Sequence, residues 1–394
     1  MQISYFQNIH DLSTTREYSD LLAEFRQIAL ACDEGGFDCF WIPEHHFSVW
    51  GRELVPNPIL LAADIAARTR HCRIGLSAAI ITFWHPIRLA EDLAMLDHLT
   101  GGRLVIGVGR GNYGLEASNL NPLADPNNPA GNMKVFAETL EIVKRALSQK
   151  RFSFSGEIYR FPAPGFQADR AHSVNDPAYV DPATGELTSL SIFPQALQRP
   201  HPPIWQVVSD SEQSLRFAAR QDCGVLMWRP TVRELQRRLR VYRDAYQEAH
   251  GIDLPLGART GIVRDTFVAE TEQDLDVARE PLMGALNFAN WRGPRIYLDP
   301  DEALDKETEA ALKKRITYEF VKERSLLFGT PDQVVEKILH LHQSTGIEQL
   351  VVKCSWPGLP HEQCMRSIRL LADEVLPKVR ERLAGGRAAS IAAE

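Results

Sequence analysis

Three apolar segments between residues 41 and 113 decide the fold, and each ends in polar, small or glycine residues. They are WIPEHHF (41–47), RIGLSAA (73–79) and RLVIGVGRGNY (103–113). Strands with little polar alternation are typical of a parallel sheet that helices cover on both faces. If the three segments are neighbouring parallel strands, their carboxyl ends meet at one mouth, where α/β folds place their chemistry.

The alternation of strands and helical patterns continues along the chain. Strands are predicted over eight segments: 2–7, 37–42, 73–81, 103–108, 203–208, 223–228, 258–268 and 348–354. Amphipathic helical patterns separate most of them. Eight strands with roughly eight helices indicate an α/β protein with a (β/α)8, or TIM, barrel rather than an open sheet. We expect one such domain over residues 1–384.

Three segments depart from this rhythm. Residues 110–131 and 160–202 are rich in Pro, Asn, Asp and Gly, and are predicted to be long insertion loops at the C-terminal mouth of the barrel. Residues 285–325 combine aromatic residues with a charged helical pattern, and are predicted to be a third insertion. The end of the chain, 385–394, is predicted to be a disordered tail.

Composition excludes several classes of partner. The 394 residues carry a net charge of −7, which argues against nucleic acid or an anionic membrane as the main partner. No run approaches about 18 apolar residues, so no membrane-spanning helix is expected. The N-terminus does not resemble a signal peptide. Six scattered cysteines without a CxxC pair indicate buried thiols in the reducing cytoplasm.

The first segment ends in the proton-active cluster Glu44-His45-His46. Adjacent residues on a strand point to opposite faces, so the two imidazoles cannot easily share a metal ion, and we predict no metal site. One histidine at the strand end is a candidate acid, base or hydrogen-bond donor near neutral pH. A packed, hydrogen-bonded histidine pair is the alternative interpretation.

The glycine turn GRGNYG (109–114) formally fits the GxGxxG pattern after a strand. A dinucleotide-binding interpretation requires a helix to begin there. Many of the residues that follow are Asn and Pro, so no helix is expected and this interpretation fails. Two interpretations remain: a mobile turn, or a turn on which Arg110 binds a phosphate through paired hydrogen bonds.

Two further stretches suit a ligand. The small residues of GLSAA (75–79) either pack within a barrel strand or leave room for a flat ring system. The stretch SDSEQS (209–214) lies between a predicted strand and a predicted helix. Asp210 or Ser211 could simply cap that helix, but the same N–H groups and hydroxyls also suit an anion. Phosphate sites of (β/α)8 barrels often occupy such a junction.

Taken together, these segments resemble the bacterial luciferase-like flavin-dependent monooxygenases. The resemblance covers about residues 2–113, 203–250 and 326–380, and also includes HPIRLAED (85–92) and FGTP (328–331). It implies a (β/α)8 barrel that binds reduced FMN supplied by a separate flavin reductase. In this family O2 adds at the flavin C4a, and the resulting (hydro)peroxide oxygenates an aldehyde or another small organic molecule.

The resemblance also implies roles for individual residues. His45 matches the catalytic histidine of the family, and His46 matches the neighbour that supports it. The Ser77–Ala78 peptide matches the one beneath the isoalloxazine ring, which is a cis bond in the family. The remaining cofactor-binding candidates are Glu44, Arg110, Tyr113, Ser211 and Ser214. Two tryptophans without a firm counterpart, Trp50 and Trp84, are expected either to line the substrate pocket or to pack elsewhere.

Two other functions stay open at this point. The same barrel could be an F420-dependent hydride-transfer oxidoreductase, or a non-catalytic barrel that binds flavin or a partner. The expected partners of the leading interpretation are the reductase, O2 and a small organic substrate. A homodimer is expected because barrels of this family commonly dimerise. The substrate itself is not indicated, because the unmatched loops shape its pocket.

Overall fold

The computed structural model describes residues 1–168 and 176–391. Its strands in chain order are β1 (Gln2–Phe6), β2 (Cys39–Ile42), β3 (Arg73–Leu76), β4 (Ala79–Ile80), β5 (Leu104–Gly109), β6 (Phe154–Ser155), β7 (Arg160–Phe161), β8 (Ile204–Val208), β9 (Gly224–Trp228), β10 (Thr260–Val268), β11 (Leu327–Gly329) and β12 (Gln349–Lys353).

Eight of these strands close into a parallel ring. The order is β1-β2-β3-β5-β8-β9-β10-β12, and β12 pairs again with β1 in the register Gln2 opposite Gln349. The ring also closes between β9 and β10, where Val225 lies opposite Thr260. Each ring strand falls on one of the eight predicted segments, so the predicted (β/α)8 barrel is confirmed. The short strands β4 and β11 extend the pairing of β5 and β10.

Helices surround the ring and bury its outer face. They are α1 (Tyr18–Glu34), α2 (Pro58–Arg68), α3 (Pro86–Leu99), α4 (Gly114–Leu120), α5 (Pro129–Ser148), α6 (Glu212–Arg220), α7 (Val232–His250), α8 (Asp276–Phe288), α9 (Lys306–Lys314), α10 (Tyr318–Ser325), α11 (Pro331–Thr345), α12 (His361–Leu370) and α13 (Leu376–Ile391). The apolar stripe of α5, for example, buries Val135, Phe136 and Leu140. The largest hydrophobic cluster lies between the strands and these helices.

The barrel interior is built around one large aromatic side chain. Trp41 of β2 is fully buried and packs with Phe6, Val105 and other inward-facing residues. Neighbouring strands leave room for it with glycines: a Cβ on Gly75 would lie only 2.4 Å from Cε3 of the indole. The small residue at 75 therefore serves packing inside the barrel, the first of the two interpretations of that segment.

The prediction of a structureless loop over 110–131 is wrong. Helix α4 begins at Gly114, and α5 begins at Pro129. The Asn and Pro residues that suggested a loop are helix-starting residues instead: the side chain of Asn128 accepts a hydrogen bond from the N–H of Gly131, with Pro129 at the first helical position. The expectation that no helix follows the glycine turn is therefore also wrong.

The second insertion matches its prediction more closely. Within 160–202 the described residues form β7, which pairs with β6, and a few isolated bridges such as Gln167 opposite Glu186. Helices are absent from the described part of this segment. Residues 169–175 lie outside the described residues.

The third insertion has a hydrophobic core of its own. After β10 the chain forms α8, a 3-10 helix over Asn290–Tyr297, α9 and α10. Their apolar side chains pack with Phe267 and Trp356 in a cluster separate from the main core. We call this segment, 276–325, the roof, because it covers the carboxyl ends of the strands.

At the end of the chain, where disorder was predicted from 385, α13 continues to Ile391.

All six cysteines are buried and unpaired, which confirms the prediction of buried free thiols. Burial raises the pKa of every one of the six thiols, to about 12 for Cys72, Cys223 and Cys364. Within the described ranges, none of the helices is both long and apolar enough to cross a membrane.

We expect Gly75→Ala to lower the free energy of unfolding by about 1–3 kcal/mol, because the added methyl group overlaps the Trp41 ring. The matched control is Gly284→Ala in α8, where a Cβ meets nothing within 4 Å. That change should leave stability unchanged or raise it by up to about 1 kcal/mol. Urea denaturation followed by circular dichroism measures both, and equal stabilities of the two variants would contradict the packing described here.

Candidate active site

A cavity of about 340 Å³ opens at the carboxyl ends of the barrel strands. It is lined from β2 by His45, from β5 by Arg110 and from the opposite side by Lys353. Its roof-side wall contains Phe288 and Ile296. The three segments that the sequence placed at one mouth therefore do meet there, with the candidate imidazole and the candidate guanidinium facing one space.

Glu44 holds the strand ends in place. This carboxylate is 1% exposed, and its oxygens accept hydrogen bonds from the backbone N–H of Ile80 at 2.8 Å and from the indole Nε1 of Trp84 at 3.0 Å. The Nε2 of His46 lies 2.9 Å from the same carboxylate. Because these bonds join β2 to the segment after β3, Glu44 fixes the relative position of two walls of the cavity.

His45 lies between two carboxylates. Its Nε2 is 3.5 Å from Glu53, and its buried Nδ1 is 3.5 Å from Glu116 Oε1, without the geometry of a hydrogen bond. Burial lowers the pKa of His45, but the charges of Glu53 and Glu116 outweigh it, so the net pKa is raised. The ring of Tyr113 is 5.5 Å away. This imidazole can therefore hold a proton at the cavity wall near neutral pH.

Glu116 was missed by the sequence reasoning. It lies on α4, is 3% exposed, and accepts the backbone N–H of His46 at 2.8 Å. Because α4 was taken for a loop, its one acidic residue in the first turn could not be placed. The available signal was a carboxylate in the first helical turn after the glycine turn.

At the other end of the cavity, Arg110 meets the serine-rich junction. Its Nη2 donates to Ser214 Oγ at 3.2 Å, and its Nη1 donates to Asn132 Oδ1 at 3.2 Å. Ser211 caps α6 by accepting from the N–H of Ser214 at 3.3 Å, so Ser211 is the capping residue and Asp210 is not. Burial lowers the pKa of Arg110. A guanidinium, two hydroxyls and a helix N-terminus together form a set of anion-binding groups.

Between these ends the cavity wall is the peptide of Ser77 and Ala78, and that peptide bond is cis, as the resemblance implies. Ser77 Oγ is buried and finds no hydrogen-bond partner among the described residues. A buried hydroxyl without a partner that faces a cavity is a group available to a ligand. The small Ala78 side chain leaves the adjacent wall flat.

Eight of the nine candidate residues line one cavity, but His46 does not. Its ring turns away, bonded to Glu44 and packed against Phe83. The two tryptophans do not line the cavity either: Trp84 bonds Glu44, and Trp50 is 56% exposed and contacts the ring of Phe288. For both tryptophans, packing elsewhere is thus the correct alternative.

Sequence reasoning also missed the charged side chains on the far side of the cavity. Arg229 follows β9 and pairs with Asp265 of β10, with Nε to Oδ2 at 2.6 Å. The indole of Trp356 donates to the other oxygen of Asp265 at 2.9 Å. Burial alone would raise the pKa of Asp265, but Arg229 outweighs it and lowers the pKa to about 2. Lys353 ends β12 and faces the same cavity.

Comparison with known proteins agrees with this site. The sequence profile of the family described as luciferase-like monooxygenase matches residues 1–349. The chain belongs to this family. The match confirms the predicted family and the predicted class of enzyme, a luciferase-like flavin-dependent monooxygenase.

Relatives within and around the family extend the comparison. The oxygenase component of the flavin-dependent trigonelline monooxygenase of Acinetobacter baylyi is 27% identical over 393 residues, which cover 99% of this chain and 98% of the relative. The FMN complex of the oxygenating constituent of 3,6-diketocamphane monooxygenase from Pseudomonas putida, a type II Baeyer–Villiger enzyme, matches with a TM-score of 0.73 at 22% identity, covering 96% of this chain and 98% of that one.

One further similar structure is that of an enzyme with a different cofactor. An F420-dependent secondary alcohol dehydrogenase in complex with an F420–acetone adduct matches with a TM-score of 0.65 at 15% identity, covering 96% of this chain and 98% of that one. At such low identities, this structure and the diketocamphane enzyme establish a shared fold.

We expect Glu53→Gln to lower the pKa of His45, because Glu53 is the strongest of the charges that raise it. With its pKa raised, protonated His45 stabilises the fold below the unfolded pKa of about 6.5, and this contribution is lost as the pH rises through the folded value. An NMR pH titration of the His45 13Cε1 signal measures the shift. Glu157→Gln, at an exposed surface ion pair, is the control, and an unchanged titration midpoint in Glu53→Gln would contradict the assignment.

Proposed function

We propose that this chain is the oxygenase component of a two-component system, which uses reduced FMN from a separate flavin reductase and O2 to oxygenate a small organic molecule. The observation that carries the proposal is the placement of His45, Arg110 and the small residues Ser77 and Ala78 around one cavity. The similarity to a flavin-dependent oxygenase component over nearly the whole chain supports it.

The residues present fit a phosphorylated flavin. Arg110, Ser211 and Ser214 would hold the phosphate, since a guanidinium beside hydroxyls binds phosphate oxygens by charge-assisted hydrogen bonds. Ser77 Oγ, which has no partner within the described part of the chain, would hydrogen-bond the polar edge of the ring system. Bound reduced flavin would supply the electrons with which O2 is activated.

The remaining side chains would hold a proton beside the reacting centre and limit the access of water to the cavity. His45 would hold a proton at the reacting centre, because the nearby charges of Glu53 and Glu116 raise its pKa. Glu44 and His46 act as positioning residues that fix the strand end carrying His45. The roof residues Phe288 and Ile296 line one wall of the cavity, where they would shield a bound flavin from part of the solvent.

The F420-dependent alternative shares the fold but has no observation of its own in this cavity. Titration of the chain with reduced FMN and with F420, followed by fluorescence, separates the two. We expect tight binding of reduced FMN and oxygen consumption. Preferential binding of F420 without oxygen consumption would overturn the proposed function.

The proposal also includes the cellular compartment and the oligomeric state of the protein. Six buried free thiols support the cytoplasm as the compartment. A homodimer, as predicted from the resemblance, is part of the proposal, and light scattering of the purified chain tests it. The expected mass is twice the 44.3 kDa of one chain.

We expect Arg110→Met to weaken binding of reduced FMN by about tenfold or more, because it removes a half-buried charged hydrogen-bond donor. Binding of riboflavin, which lacks the phosphate, should change much less. The control is Arg88→Met, a cation that is 66% exposed in a surface ion pair. Anaerobic titration followed by absorbance measures both affinities in the wild type and in each variant. Equal losses for FMN and riboflavin would show that Arg110 does not bind the phosphate.

His45→Ala tests whether the barrel is catalytic. We expect reduced FMN to bind as in the wild type, but to be reoxidised by O2 at a rate about tenfold higher or more, because the proton near the reacting centre is no longer held. Stopped-flow absorbance measures this rate. His361→Ala, at an exposed histidine bonded to Gln27, is the control. Unchanged kinetics in a chain that binds reduced FMN would favour the non-catalytic barrel.

A further inference from the structure

The cavity has two chemically different halves. The predicted flavin-contacting residues follow β2, β3, β5 and β8, which are consecutive in the ring. The other four ring strands, β9, β10, β12 and β1, contribute a different set of charged and aromatic groups. Arg229, Arg264 and Lys353 form what we call the cation cluster, with Asp265 as the carboxylate among them.

Positive charge exceeds negative charge in this half. Asp265 is committed to Arg229 and Trp356. Arg264, only 2% exposed, donates to the carbonyl of Pro230, and its Nη1 is buried without a partner among the described residues. No carboxylate in the described chain lies within ion-pairing distance of Lys353 Nζ, although the charges of Asp265 and Glu53 act on it from farther away. The nearby His10 adds no charge of its own, since burial and Lys353 lower its pKa to about 3.

Lys353 is the member of the cluster that faces the cavity without a partner. Its side chain is 9% exposed, and its Nζ makes neither a hydrogen bond nor an ion pair with any described residue. Its nearest recorded contacts are the rings of Phe6 and Trp228, each 6.0 Å from Nζ. A buried ammonium with unused donors is costly unless an anion satisfies it. Burial lowers the pKa of Lys353 to about 8, so the group is still mostly protonated at neutral pH.

The walls around Lys353 suit an apolar body. Phe6 and Trp228 stand edge to face on the barrel side, with centroids 5.1 Å apart. Phe288 and Ile296 line the roof side. A ligand that fits this half would therefore combine one negatively charged group with an aromatic or other apolar skeleton.

We propose that Lys353 binds the carboxylate of the substrate, so that this enzyme acts on a small aromatic or apolar carboxylic acid rather than on a neutral compound. The proposal rests on the proposed function, because it treats the half of the cavity opposite the flavin residues as the substrate site. In this arrangement Lys353 is a specificity-determining residue, and the ion pair with Arg229 occupies Asp265, the nearest strand carboxylate of this half.

The test compares two probes of nearly equal shape, benzoate and benzamide. We expect the chain with reduced FMN bound under anaerobic conditions to bind benzoate about tenfold more tightly than benzamide, because only benzoate pairs with the ammonium. Lys353→Met should reduce this preference to about twofold or less, and Lys353→Arg should retain it. Lys134→Met, which removes an exposed lysine from a surface ion pair, is the control for net charge. Isothermal titration calorimetry measures the affinities.

Three results would overturn the proposal. Wild-type chain could show no preference for benzoate, or Lys353→Met could keep the preference. Alternatively, Lys353→Met could lose binding of reduced FMN itself, in which case the ammonium serves the flavin. Binding of reduced FMN is measured separately in every variant, so failure of the proposed function is distinguishable from failure of this inference.

A second measurement needs no variant and therefore does not depend on Lys353→Met folding. Cyanate carbamoylates accessible lysine amines, and mass spectrometry quantifies the modification at each position. Benzoate should protect Lys353 in the wild-type chain several-fold more than benzamide does, while Lys134 is modified equally in both. Equal modification of Lys353 with either probe would overturn the proposal.

Discussion

The candidate site depends on one buried carboxylate. Glu44 is removed from water and accepts hydrogen bonds from Ile80 and Trp84 while it contacts His46. A carboxyl group buried in this way is stable only when hydrogen-bonding partners surround it. The need to supply those partners fixes how the end of β2 sits against the segment after β3. The imidazole of His45 is positioned next to the flat peptide wall as a result.

The barrel could be predicted from the sequence because its strands are continuous apolar runs bounded by glycine or proline. Gly35-Gly36 lie just before β2, Pro43 directly follows it, and Gly101-Gly102 lie just before β5. Such signals are local, and they do not depend on contacts with distant parts of the chain. The candidate residues at the first three mouth strands followed from the same logic, since carboxyl ends of parallel strands converge.

What could not be predicted depends on contacts between distant segments. Asn128 and Pro129 suggest a loop when viewed locally, but they start a helix, and the short α4 before it carries Glu116 to His46. Lys353 and Arg229 are single cations at the ends of apolar strands, a signal that was present in the sequence. Their importance became visible only when β9 and β12 closed the ring around the same cavity as β2 and β5.

The state of the six thiols has a consequence for the durability of the enzyme. A flavin oxygenase that turns over without substrate releases hydrogen peroxide beside its own polypeptide. Peroxide attacks the thiolate form of cysteine. The rate of this oxidation falls when the thiol is protonated and when it is inaccessible to solvent. Every cysteine here is inside the core with a raised pKa. The protein should therefore tolerate its own oxidising by-product without sulfenic acid formation at these positions.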